Sequence, residues 1–154
     1  MNIFLHEARE ELKRVDHLIS VSLKYTRTVD VFKSIIERII NAFDAIINGL
    51  LEKGKEEKRI ESIPSAPRLK CEECMKLFDK DEQMQGFLNF YIFMRSINRA
   101  EFDRRNEFRR HVTMIAYLDN DEIVEIKLED ISEYYAKSRA LVDYAKIILE
   151  GEEE

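Results

Sequence analysis

Between Phe32 and Leu50 the apolar residues Ile35, Ile36, Ile39, Ile40, Phe43, Ile46, Ile47 and Leu50 recur at spacings of three and four. An α-helix turns once in about 3.6 residues, so this spacing gathers them on one wide stripe. Alternation of the strand type would split them between two faces. The pattern predicts a core helix over 29–53. Thr28 would be its N-cap, a hydroxyl able to accept an orphan first-turn N–H, and Gly54 would suit its end. Whatever else the chain forms has to cover that stripe.

Shorter signals supply the cover. Leu5, Ala8, Leu12, Val15, Ile19 and Leu23 draw a narrower stripe among Glu7, Arg9, Glu10, Glu11, Lys13 and Arg14, predicting an amphipathic surface helix. Residues 54–67 carry dense charge and two prolines, which read as one long loop. A short helix is expected over 69–78. From Asp81 the chain becomes apolar on nearly every side through Phe87-Leu88-Asn89-Phe90-Tyr91-Ile92-Phe93-Met94, which predicts a central helix or a seam with a partner. Helical periodicity is expected to continue beyond a break near 99–103. Val112–Leu118 and Ile123–Leu128, flanking Asp119-Asn120-Asp121-Glu122, read either as helix with a short extended piece or as a hairpin. Ile131, Tyr134, Tyr135, Ser138, Leu141, Val142, Ala145, Ile148 and Leu149 share the face of a last helix, ended by Gly151 and three glutamates. The expectation is an all-α antiparallel bundle of four to five helices, one domain over 1–154, with a short extended hairpin near 112–128 as the alternative.

Composition sets the class of partner. A chain with 45% apolar and 36% charged residues is not disordered, and its apolar runs are broken too early for a membrane span. The first residues lack an export leader, so a cytoplasmic, membrane-free protein is expected. Cys71 and Cys74 lie too close to staple a secreted fold, and as half of a zinc site they lack a second pair. No Glu-x-x-His di-iron pattern, glycine-rich phosphate loop or Gly-x-Ser-x-Gly occurs, so no metal and no cofactor are expected. The net charge of −6 disfavours wholesale wrapping by nucleic acid.

One segment departs from that acidic background. Between Arg95 and His111 six arginines (95, 99, 104, 105, 109 and 110) face three acids, so this stretch carries +3 and the remainder −9. Guanidinium groups so dense repel one another unless carboxylates of the same chain or an outside anion answer them, and their planar fork suits phosphate. His6 and His17 stand three turns apart on the first helix and read as surface residues. His111 follows Arg104 by one heptad, which would place the two on nearly one face of an unbroken helix. A neutral imidazole can take a proton from a ribose hydroxyl while a neighbouring arginine holds the scissile phosphate.

The run Arg105-Asn106-Glu107-Phe108-Arg109-Arg110-His111 resembles the signature of the HEPN superfamily, in which Arg, a polar residue and a short spacer precede His. The resemblance implies an all-α domain that forms a homodimer with both motifs lining one cleft. It also implies metal-independent RNA cleavage, commonly beside a nucleotidyltransferase antitoxin. By the same resemblance Arg105, or Arg104 at the neighbouring spacing, would hold the phosphate, Asn106 would support the site, and His111 would serve as acid or base. Thr113 stands where many nuclease members place tyrosine. Arg99, Arg109 and Arg110 would guide the RNA backbone. The competing expectation is a non-catalytic interaction or dimerisation module that meets a protein partner through its aromatic helix.

Overall fold

In the computed structural model, which describes residues 2–151, α1 (Ile3–His17) starts where the Asn2 side-chain oxygen accepts the N–H groups of Phe4 and Leu5 at 2.9 and 3.1 Å. Leu5, Ala8, Leu12 and Val15 form its buried side, the narrow stripe read from the sequence. The helix then widens into a π segment (Leu18–Ser22) and closes with one α turn (Leu23–Tyr25).

The core helix, α2 (Val29–Glu56), buries Phe32, Ile35, Ile36, Ile39, Phe43, Ile46 and Leu50 to 1% exposure or less. Each such side chain contributes on the order of 1.5–3 kcal/mol through burial. The helix runs past Gly54 because that glycine is a packing site: a Cβ there would meet Leu77 Cδ2 at 2.9 Å. The connection over 57–66 is stitched to both flanking helices. Arg59 N–H donates to the Gly54 carbonyl, and its guanidinium donates to the Leu77 carbonyl, both at 2.9 Å.

Next come α3 (Pro67–Leu77), with proline in its first turn where a missing N–H costs nothing, and α4 (Glu82–Arg99). Asp81 caps α4 by accepting from Met84 N–H at 3.0 Å, and its other oxygen accepts from the Tyr144 hydroxyl at 2.6 Å. Tyr144 belongs to α5 (Leu128–Glu150), the last helix. The aromatic helix α4 therefore finds its partners inside the chain. Phe87 meets Tyr144, Phe90 and Phe93 meet Tyr134, and Phe90 and Tyr91 meet Phe43, at ring-centroid separations of 5.6 to 6.3 Å. Of the two expectations for this segment, the central helix describes its place in the chain, and Ile92 stays 44% exposed on its outer side.

One correction concerns the fold class. The protein is mainly helical, with five helices among the described residues, but a three-stranded antiparallel sheet in the order β1-β2-β3 stands beside them. Its strands are β1 (Glu101–Arg105), β2 (Thr113–Tyr117) and β3 (Ile123–Ile126). The β2–β3 pair is the hairpin alternative, with Tyr117 opposite Ile123. The first strand comes from the arginine-rich stretch that had been read as continuing helix. Lys33 of α2 accounts for the change of course, its ammonium donating to the Asn98 carbonyl at 2.7 Å and to its side-chain oxygen at 3.0 Å. That bond closes the last turn of α4, and Ala100 leaves it in extended conformation. Phe102 then lies under Lys33, 5.4 Å from ammonium to ring centroid. On the inner face of the sheet Met114, Ala116 and Ile126 are wholly buried.

Two outcomes test this packing. Gly49 sits against Phe4 of α1, where an added Cβ would come within 2.9 Å of Phe4 Cβ, an atom with no freedom to swing away. Alanine in a helix is worth about 1 kcal/mol over glycine, but overpacking costs about 1–3 kcal/mol. Gly49→Ala should therefore lower the melting temperature by about 2–4 °C per net kcal/mol. Burial and the nearby acids Asp130 and Glu133 raise the Tyr134 phenol from 10.0 to about 12. In that window the unfolded state has lost the proton and the folded state has kept it. Stability measured in denaturant should therefore fall as pH rises from 10 toward 12, less steeply in Tyr134→Phe.

Candidate nucleic-acid interface

The turn joining β1 to β2, residues 106–112, carries most of the side chains singled out in the sequence. Its backbone is unusual: Asn106 and Phe108 adopt φ of 58° and 66°. Asparagine tolerates the left-handed region, whereas phenylalanine there is strained and needs outside support. Two bonds supply it. Phe108 N–H donates to the Arg27 carbonyl at 2.7 Å, and the Glu107 carboxylate accepts the Val29 N–H at 2.9 Å.

The second bond corrects the expected cap. Thr28 occupies the N-cap position of α2, but its side chain makes no capping hydrogen bond; the acceptor arrives from Glu107, far along the chain. A carboxylate at the positive end of a long helix is favourable on charge grounds as well. The loop and the start of the core helix are thereby held together.

The geometry places the candidate residues in two groups. Arg104 and Arg105 close β1, and both are matched by acids of the same chain. Arg104 reaches Asp30 at 2.9 Å and Glu107 at 3.4 Å, and Arg105 reaches Glu125 at 2.7 Å across the sheet. The Asp30 partner raises the pKa of Arg104, and Arg105 lowers that of Glu125. Among the described residues Arg99 has only a loose pair with Asp119, at 3.9 Å. Asn106, Arg109, Arg110 and His111 form the second group. All four are exposed, and neither Arg109 nor Arg110 has a carboxylate within 4.0 Å among the described residues. The helical premise that set Arg104 and His111 on one face does not hold. Arg104 sits in a strand whose side chains alternate, and His111 ends the following turn. Its carbonyl accepts from the Thr113 hydroxyl at 2.9 Å.

Sequence reasoning passed over several members of this surface. Phe108 is 74% exposed, and Tyr25, two residues before the Arg27 that the loop touches, is 78% exposed. From bond lengths their backbones lie within roughly 14 Å of each other. Lys24-Tyr25-Thr26-Arg27-Thr28 is a bulky aromatic among two cations and two hydroxyls. That was a usable signal, obscured because the segment reads as a plain link between helices. The π segment just before it is a form that often marks functional sites.

Elsewhere the chemistry is quiet. His6 and His17 are exposed surface residues, as expected. Cys71 and Cys74 are buried free thiols, held protonated by burial, which pushes them up to about 11 and about 12. Among the described residues no group of His, Cys, Asp and Glu could hold a metal ion, and no helix is long and apolar enough to cross a membrane. No family model matches this sequence, and no curated protein and no solved structure matches it either.

The displaced cap generates a contrast. Glu107→Ala should destabilise the protein by about 0.5–2 kcal/mol, as loss of an N-cap does. Thr28→Ala should leave denaturant unfolding nearly unchanged. The opposite ranking would show that Thr28 caps α2.

Proposed function

We propose that this chain is an HEPN-like, RNA-directed protein in which the loop over 106–111 meets the nucleic acid. The observation that carries the reading is the pair Arg109 and Arg110, exposed on an acidic chain with no carboxylate within 4.0 Å among the described residues and adjoining His111 and Phe108. Guanidinium groups free of internal partners are available to phosphate. Exposed aromatic rings beside them suit stacking on unpaired bases. Phe108 and Tyr25 supply those rings, and Arg104 and Arg105, already in ion pairs, order the loop from behind.

Cleavage without metal needs a base for the 2′-hydroxyl and an acid for the leaving oxygen. One loop offers one imidazole. The catalytic form of the reading is therefore a homodimer in which His111 of each copy takes one of the two roles, with Asn106 and the arginines holding the phosphate. A nucleotidyltransferase antitoxin is the partner that the HEPN resemblance implies.

A second reading, a non-catalytic interaction module, draws support from a different observation. Arg104 and Arg105, the arginines nearest the motif's phosphate-holding position, are neutralised by Asp30, Glu107 and Glu125. Under that reading the exposed loop meets acidic groups on a protein.

Fluorescence anisotropy with a labelled single-stranded RNA over a salt series separates the two. Under the RNA reading, affinity falls steeply with salt, and Arg109→Ala and Arg110→Ala each lower the logarithmic salt slope by about 0.7. Phe108→Ala should cost about 1–3 kcal/mol of binding through lost stacking. In the catalytic form, His111→Ala abolishes cleavage while helical circular dichroism and dimer mass stay as they were. Absence of salt-dependent RNA binding would overturn the first reading, and undiminished cleavage by the histidine variant would remove the catalytic part.

A further inference from the structure

The two most exposed large apolar side chains among the described residues are both aromatic, and they come from segments far apart in the chain. Tyr25 is 78% exposed at the end of the α turn Leu23–Tyr25, and Phe108 is 74% exposed on the loop between β1 and β2. Neither packs against the core. The bond from the Phe108 N–H to the Arg27 carbonyl, at 2.7 Å, joins the two segments into one surface. Packing accounts for neither ring. Phe108 holds a left-handed backbone that a bulky residue reaches only at a cost, and its side chain gains little burial in return.

The charges around the rings favour a polyanion. No Asp or Glu occurs between Asp16 and Asp30, nor between Glu107 and Asp119, on a chain that holds 31 acids. These two stretches contribute Lys24, Arg27, Arg109 and Arg110, none with a carboxylate within 4.0 Å among the described residues. Arg27 is half-buried and held in place, its Nε donating to the Leu23 carbonyl at 3.3 Å. The two acids that border the surface are engaged already. Asp30 pairs with Arg104, and Glu107 accepts the Val29 N–H and pairs with the same arginine. An apolar anchor for a protein partner is depleted of charge at its centre. Here a cation adjoins each ring, Lys24 before Tyr25 and Arg109 after Phe108. An RNA duplex would keep its base faces inside its own stack, out of reach of both rings.

We propose that the link over 24–27 is a second half of the RNA surface, so that one unpaired strand lays a base on Phe108 and another on Tyr25. Its phosphates run past Lys24, Arg27, Arg109 and Arg110. The inference rests on the RNA reading of the loop and adds to it the form of the ligand, a run of unpaired nucleotides long enough to meet two platforms. The backbones of the two aromatic residues lie within roughly 14 Å of each other, so bases of one short strand reach both. The hydrogen bond between the segments fixes the platforms relative to each other before the strand arrives, which lowers the ordering cost of binding. Every base has a face that can stack, so the surface accepts unpaired RNA with little regard to sequence.

The test compares, on the full chain, a labelled oligouridylate of about 12 nucleotides, within the usual span of a single-strand site, with the same strand annealed to oligoadenylate. The unpaired strand should bind at least about tenfold tighter, the scale of one stacked base. Tyr25→Ala should weaken it about tenfold, and Tyr25→Phe, which keeps the ring, should restore it. Lys24→Gln should lower the logarithmic salt slope by about 0.7. Both side chains are exposed, and unchanged circular dichroism checks that the variants fold. If Phe108→Ala and Arg109→Ala weaken binding while Tyr25→Ala and Lys24→Gln do not, this proposal fails and the RNA reading of the loop stands. Equal affinity for the duplex, or a Tyr25→Phe variant no better than Tyr25→Ala, overturns it in the same way. Absence of salt-dependent binding to either RNA removes the loop reading and this one together.

Discussion

Burial of the isoleucine-rich stripe of α2 is the constraint on which the rest of the molecule depends. The helix spans 28 residues, about 42 Å at 1.5 Å per residue. No single neighbour can cover that length. α1, α3, α4 and α5 each cover a portion, and the sheet covers the portion near Val29. Polar residues on the remaining sides of α2 do separate work. Lys33 closes the end of α4, Asp44 receives the Tyr91 hydroxyl, and Asp30 pairs with Arg104. One helix thus organises both the core and the loop over 106–111.

The start of α2 shows how stability and function share a few atoms. Its first N–H groups have no intrahelical acceptor, and the chain provides one from the loop between β1 and β2. Glu107 therefore ties the loop that carries the exposed arginines and the strained Phe108 to the start of the core helix. A loop anchored in this way can present side chains with little loss of freedom on binding, which favours affinity. Splitting the arginines between ion pairs and open exposure has a related effect. Arg104 and Arg105 stiffen the hairpin, and Arg109 and Arg110 remain available.

Much of the helical fold was legible in the chain because helix periodicity is local: the apolar spacing of α2, the narrower stripe of α1 and the face of α5 each follow from neighbours three and four apart. The hairpin was legible as an alternative, since short apolar runs suit either helix or strand. Three things depended on tertiary structure. The stretch after Arg99 became a strand because Lys33 closes α4 and the sheet needs an inner row. Thr28 lost its capping role because a carboxylate remote in sequence reached the same N–H. The aromatic face of α4 was covered by α5, a match between two helices that neither announces alone. Residue types and their periods specify which elements form and which sides are apolar. Which acid answers which arginine, and which aromatic remains in solvent, is decided only when distant segments meet, because ion pairs and caps act over a few ångströms and carry no periodic mark in the chain.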